Sequence, residues 1–257
     1  MAKKNTLEGL PKSTVILGAA STVARYIAME FARAGHALVL ADFDEEECAR
    51  IAADIAIRFD VPCHTIPFDA LDHENHPAFL NTCREKLGGL PGGVVLCFGY
   101  MTEQSETQED FAKAKRTIDT NFTGAVSILE VFAAAFEERK GGFITALSSV
   151  AGDRGRKANY IYGASKAGLT AYLEGLRNRL HENNVQVTTV KPGFMDTKMT
   201  YGMGLPAPLT ASPEQAARII FNATARGKDI VHVLFMWRYI MLIIRHIPEW
   251  QFKKMDI

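Results

Sequence analysis

Seven apolar runs recur along the chain, each continuous rather than alternating, and stretches of helical period separate them. The runs are TVILG (14–18), ALVLA (37–41), CHTIPF (63–68), GGVVLCFG (92–99), GFITALSS (142–149), VQVTTV (185–190) and DIVHVLF (229–235). A strand with one wet face alternates apolar and polar residues, whereas a continuous run suits a strand covered on both faces. Between the runs, 23–34, 45–59 and 169–180 have helical period, with Leu169, Leu173, Leu176 and Leu180 on one side of the last. This succession, with no linker, repeat or low-complexity break, predicts one domain over 1–257 built on a doubly wound parallel α/β sheet. Ligands of such sheets bind beyond the carboxyl ends of the strands, so the strand-end residues carry the functional information.

Composition narrows the classes. With 47% hydrophobic and 23% charged residues, the chain has the makeup of a folded globular protein. Its 29 Lys and Arg balance 29 Asp and Glu without a long basic run, which argues against nucleic acid as a partner. Cys48, Cys63, Cys83 and Cys97 form no C-x-x-C pair and read as free thiols in a reducing compartment. Residues 1–10 lack the apolar core of a secretory signal, so a cytoplasmic location is expected. The most apolar stretch, 230–247, is interrupted by His232, Arg238, Arg245 and His246 and falls short of the about 20 apolar residues a membrane span needs. The chain's tail is expected to cover the substrate pocket, seal a subunit interface or lie in a membrane surface.

The first strand runs into GAASTVA (18–24), where Gly18 and small residues precede a helix. That arrangement admits a pyrophosphate to the helix N-terminus, although an ordinary strand-to-helix turn looks the same. The second strand ends at Asp42, 24 positions beyond Gly18. A carboxylate there can accept hydrogen bonds from both ribose hydroxyls and repels a 2′-phosphate, which favours NAD over NADP. Asp69, after the third strand, stands either at the adenine edge or in an Asx-turn.

The strongest signal is Y-x-x-x-K at Tyr162 and Lys166, with Ser149 at the end of a buried strand 13 positions upstream. On a helix Tyr162 and Lys166 are one turn apart on one face. A phenol must come down by about 2–3 pKa units to act as an acid and base near neutrality. A fixed ammonium nearby is expected to supply that stabilisation, and Ser149 to hold the substrate oxygen.

On these residues the chain resembles the classical short-chain dehydrogenases/reductases over nearly its whole length. SSVAG (148–152), YGASK (162–166), NFTG (121–124) and KPGFMDT (191–197) match that family's motifs in order and spacing. The resemblance implies a Rossmann-type sheet of about seven strands flanked by helices, with an apolar, basic C-terminal helical tail over 235–257. It implies a catalytic set of Asn121, Ser149, Tyr162 and Lys166, with Asn121 in a water-mediated proton relay and Lys166 also on the nicotinamide ribose. Cofactor contacts are implied at Gly18, Ser21, Thr22, Val23, Asp42, Asp69, Ala70, Phe98 and Gly99. Pro192, Gly193, Met195 and Thr197 would border the nicotinamide. The family's Gly-rich turn is replaced by GAASTVA, and its N-N-A-G segment by LCFG (96–99).

A narrower resemblance, carried by FDALD (68–72), the stretch 148–168, ARGKDIV (225–231) and the tail 235–254, is to the keto-reductase subunits of decaprenylphosphoryl-ribose 2′-epimerases. It implies reduction of a polyprenylphosphoryl 2-keto-pentose to the arabinose form, in cell wall biosynthesis, beside a partner oxidase. The wider family implies a homodimer or homotetramer. Arg154, Arg156 and Lys157 then read as a phosphate site, or as a solvated basic loop. Residues 198–211, rich in Gly, Pro and Met, read as a substrate lid or a plain loop, with Met199 and Tyr201 toward the substrate. Reduction of another lipophilic ketone, or a non-catalytic dinucleotide sensor, are the alternatives. His73 and His76 are expected in a turn, and no metal is expected.

Overall fold

The computed structural model describes residues 5–202 and 204–256; Met203 of the expected lid, Ile257 of the tail and residues 1–4 lie outside them. Alternation along the chain becomes β1 (Ser13–Leu17), α1 (Thr22–Arg33), β2 (Ala37–Asp42), α2 (Glu45–Phe59), β3 (Cys63–Pro67), α3 (His76–Leu87) and β4 (Gly93–Leu96). Two short helices, α4 (Gln104–Glu109) and α5 (Phe111–Ile118), lead through a π-helical turn at Asp119–Gly124 into α6 (Ala125–Arg139). Then come β5 (Gly142–Leu147), α7 (Tyr160–Leu180), β6 (Val185–Pro192), β7 (Phe194–Met195), β8 (Thr210–Ala211), α8 (Pro213–Ala225) and β9 (Ile230–Val233). Helices α9 (Met236–His246) and α10 (Glu249–Phe252) close the chain.

Seven strands form one sheet in the order β3-β2-β1-β4-β5-β6-β9, and every pairing in it is parallel. Both faces of the five inner strands are covered, which is why their runs are continuous, whereas the edge strands β3 and β9 keep half-buried and exposed residues such as His64, Ile230 and His232. Val15, Val39, Val94 and Ile144 face a layer containing Phe132, Phe136, Leu169 and Leu173. Ile16, Leu38, Val95 and Phe143 face one containing Ile27, Phe31, Ile55 and Ile220. No helix among the described residues is long and apolar enough to cross a membrane.

The helix starts follow local chemistry. Ser21 caps α1 by accepting from the Ala24 N–H, and Ser212 caps α8 ahead of Pro213 by accepting from Gln215. One boundary needs correction: the run 229–235 is not all strand. Leu234 adopts φ +62° and Phe235 turns out to solvent, so the chain leaves the sheet after Val233. The segment 198–211 contains two 3₁₀ turns, and pairing of β7 with β8 draws its two ends together.

Candidate active site

The sheet sets the site through its strand ends. At the first, Gly18 has φ +78°, and a Cβ there would lie 2.5 Å from the Phe98 amide nitrogen. The turn after β1 and the loop after β4 are thus pressed together, which only glycine permits. Beside them Asp42 is buried at the end of β2. Its Oδ2 accepts from the Ala20 N–H at 3.1 Å and its Oδ1 from the Asp44 N–H at 3.1 Å. The carboxylate is therefore fixed against the turn that opens α1, where a ribose can reach it. Asp69 accepts from the Leu71 N–H at 2.9 Å, an Asx-turn, with Ala70 buried beside it. An open cleft of about 450 Å³ next to this region is lined by Thr22, Tyr26, Asp196, Thr197, Lys198, Tyr201 and Pro213. A glycine turn, a capped helix N-terminus and a strand-end carboxylate together fit an adenine dinucleotide.

The second half gathers around α7. Ser149, just beyond the end of β5, stands beside the Tyr162 hydroxyl, and the Lys166 Nζ lies 5.9 Å from the centre of the Tyr162 ring. Lys166 is buried and donates to the Leu147 carbonyl at 3.0 Å. The Asn121 amide, in the π-helical turn, clamps Tyr100: it accepts from the Tyr100 N–H at 2.7 Å and donates to the Tyr100 carbonyl at 2.8 Å. It also donates to Ser165 Oγ at 3.1 Å, one residue from Lys166. A Cβ on Gly99 would stand 3.3 Å from Asn121 Oδ1 and 3.4 Å from Lys166 Nζ, so these groups share one small volume. π turns of this kind commonly mark functional sites.

Electrostatics amends one expectation. Burial pushes the Tyr162 phenol up and the neighbouring Ser149 hydroxyl only pulls partly against it. Burial likewise brings Lys166 down to about 8. The Lys166 ammonium turns to Leu147 rather than to the phenol, so it does not hold the Tyr162 pKa low in this arrangement. The lysine is instead poised to ionise near neutrality, within reach of a ribose at the same strand end.

The basic loop needs the larger correction. Arg154 does not face the site: its guanidinium donates to the Ile244 carbonyl, to the Ile247 carbonyl at 2.7 Å and to Glu249 at 3.0 Å, and stacks 3.6 Å over Phe252. It ties down the end of α9. Lys157 pairs with Asp256, both exposed, and Arg156 is half-buried with an unpartnered Nε. Met199 and Tyr201 are exposed on the segment 198–211, Tyr201 at 90%.

Two specific contacts are not written in any one segment of the sequence. Lys191 and Asp153 form a buried ion pair at 2.6 Å, joining the end of β6 to the loop after Ser149. Trp237 of α9 lies flat on Gly193, meets Phe194 edge-on at 5.1 Å and donates to the Leu209 carbonyl at 3.1 Å. With Met241 it packs against Val150, next to Ser149, so the tail walls the space beside that serine. Neither has a local signal, because the partners are 38 and 44 positions apart.

A doubly wound parallel sheet with a dinucleotide turn at β1 and a Ser–Tyr–Lys set beyond β5 defines a dinucleotide-dependent oxidoreductase. A model of the short chain dehydrogenase family matches residues 12–204, and the chain belongs to that family, whose members bind a nicotinamide dinucleotide. It is 34% identical over 241 residues to an uncharacterized oxidoreductase of Mycobacterium tuberculosis, covering 94% of this chain and 96% of that one. An uncharacterized oxidoreductase of Streptomyces coelicolor is 34% identical over 250 residues, covering 97% and 98%. Among solved structures, a short-chain dehydrogenase from Sphingobium yanoikuyae in complex with NADPH superposes with a TM-score of 0.80 at 22% identity, over 93% of this chain and 97% of that one.

Proposed function

We propose that the protein is an NAD-dependent reductase of a lipid-linked ketone, and that its substrate is a polyprenylphosphoryl 2-keto-pentose reduced to the arabinose form. The observation that carries the chemistry is the gathering of Ser149, Tyr162 and buried Lys166 at one strand end, with the Lys166 Nζ 5.9 Å from the Tyr162 ring centre. A bound nicotinamide supplies the hydride. Ser149 holds the ketone oxygen, and Tyr162 delivers the proton that turns it into a hydroxyl. Lys166 returns a proton to Tyr162 through water, in a relay that Asn121 helps to position. The burial of Asp42 at the ribose position supports NADH over NADPH, because a 2′-phosphate there would meet a fixed carboxylate.

The apolar wall of Trp237, Met241 and Val150 supports a lipophilic substrate, and the same wall suits another lipophilic ketone. Charge-assisted contact with a substrate phosphate falls to Arg156, since Arg154 is spent on the tail. On this reading the protein works on the cytoplasmic side, peripheral to the membrane, as a homo-oligomer that receives its ketone from a partner oxidase. NADH consumption with a polyprenylphosphoryl keto-pentose, compared with a steroid or fatty ketone of similar size, tests it. Turnover confined to the uncharged ketones removes the sugar substrate.

A further inference from the structure

The outer face of the tail keeps large apolar side chains in solvent. Trp237 and Met241 of α9 are buried, whereas Phe235, Tyr239, Leu242 and Ile243 on the opposite side are 73, 58, 55 and 67% exposed. A contiguous exposed apolar patch is normally covered by a partner surface. Cations flank this face: Arg238, Arg245, Lys253 and Lys254 are exposed and have no acidic partner among the described residues. The acids nearby, Glu249 and Asp256, are already paired with Arg154 and Lys157. In a chain of zero net charge, unpaired positive charge is thus gathered beside exposed apolar surface.

We propose that the outer face of α9, with Trp250 and the Lys253–Lys254 pair beyond it, docks on an anionic phospholipid surface. Interfacial helices bury apolar side chains below the headgroups and set Lys and Arg among the phosphates. A second copy of the chain fits this face poorly. A two-fold contact would oppose Arg238 and Arg245 to their own counterparts, and cations are rare at the cores of such interfaces. The consequence for the site rests on the lipid-linked substrate proposed above: the same helix would then face the bilayer on one side and the substrate wall on the other. The docking itself stands on the surface alone.

Co-sedimentation of the full-length protein with phosphatidylcholine vesicles, with and without phosphatidylglycerol, tests it without any substrate. Binding is expected with phosphatidylglycerol at low salt and is lost at high salt. It should shift the emission of Trp250 to the blue, since Trp237 is already buried. Lys253→Gln/Lys254→Gln should weaken binding roughly thirty-fold, at about five-fold per cation. Leu242→Glu/Ile243→Glu should abolish it with NADH binding unchanged. Protein that stays in the supernatant at low salt overturns the proposal, as does binding indifferent to phosphatidylglycerol. An oligomer that Leu242→Glu/Ile243→Glu splits, read by sedimentation velocity, also overturns it and assigns the face to a second copy. Vesicle binding without turnover of a lipid-linked ketone supports docking and removes only the substrate.

Discussion

Gly193 and Trp237 meet with no room between them: a Cβ on Gly193 would fall 2.0 Å from the indole. The strand end that would border the nicotinamide is thereby locked to the tail. Gly193→Ala must push the indole off the wall, at an overpacking cost of about 1–3 kcal/mol. A lower melting temperature, a red shift of tryptophan emission and a raised KM are expected. Adding Trp237→Leu should recover part of the stability, and no recovery would mean the strain lies elsewhere.

Tyr162→Phe keeps the ring and removes only the hydroxyl that stands beside Ser149. Turnover should fall by about 10²–10⁴ while NADH affinity, read by fluorescence titration, stays within about two-fold. Lys166→Ala should lose both. Comparable rates in Tyr162→Phe and the natural protein would remove the acid and base assigned here.

Asp42 has two jobs, and two substitutions separate them. Asp42→Asn can still accept from the Ala20 N–H but lacks the charge, so the preference for NADH over NADPH should narrow with the fold intact. Asp42→Ser also gives up the ribose hydrogen bonds, a loss of about 10- to 150-fold for NADH. Ratios of kcat/KM for the two cofactors decide it, and a native preference for NADPH would sink the argument.

Arg154→Gln frees the end of α9 from its carbonyl contacts. KM should rise by similar factors for phosphorylated and uncharged ketones, because the damage is to the wall. Arg156→Gln should raise KM mainly for the phosphorylated substrate, by about 10-fold or more. A selective effect of Arg154→Gln would return that residue to the phosphate.

Burial lowers the pKa of His36 from its ordinary 6.5 to about 4, and its Nδ1 bonds Thr14 Oγ1 at 2.9 Å. The unfolded chain therefore takes up this proton first as pH falls. The stability from neutral His36 is complete above pH 6.5 and drains away as pH falls to about 4. The loss approaches about 3 kcal/mol. Urea unfolding between pH 7 and 4 should show this slope in the natural protein and a shallower one in His36→Gln.

Continuous apolar runs and helical spacing were enough to predict the seven-stranded parallel sheet, since burial on both faces leaves its mark residue by residue. The same holds for Ser149, Tyr162 and Lys166: a strand end and one turn of helix are local facts, readable from spacing. The caps by Ser21 and Ser212, each accepting from the N–H three residues on, have an equally local origin. Asp42 could be placed because β2 must end beside β1 in any sheet of this kind.

Tertiary structure alone decided what Arg154 does. As sequence it was a basic residue five positions after Ser149, the serine expected to hold the substrate oxygen. In the fold it meets Ile244 and Ile247, about 90 positions away, and becomes the anchor of the tail. The Lys191–Asp153 pair, the seat of Trp237 on Gly193 and the turn of Lys166 toward Leu147 are of the same kind. Each depends on which strand ends and helices come together, and on the desolvation that follows. Neither is a property of any one segment, so composition and periodicity carry no trace of them.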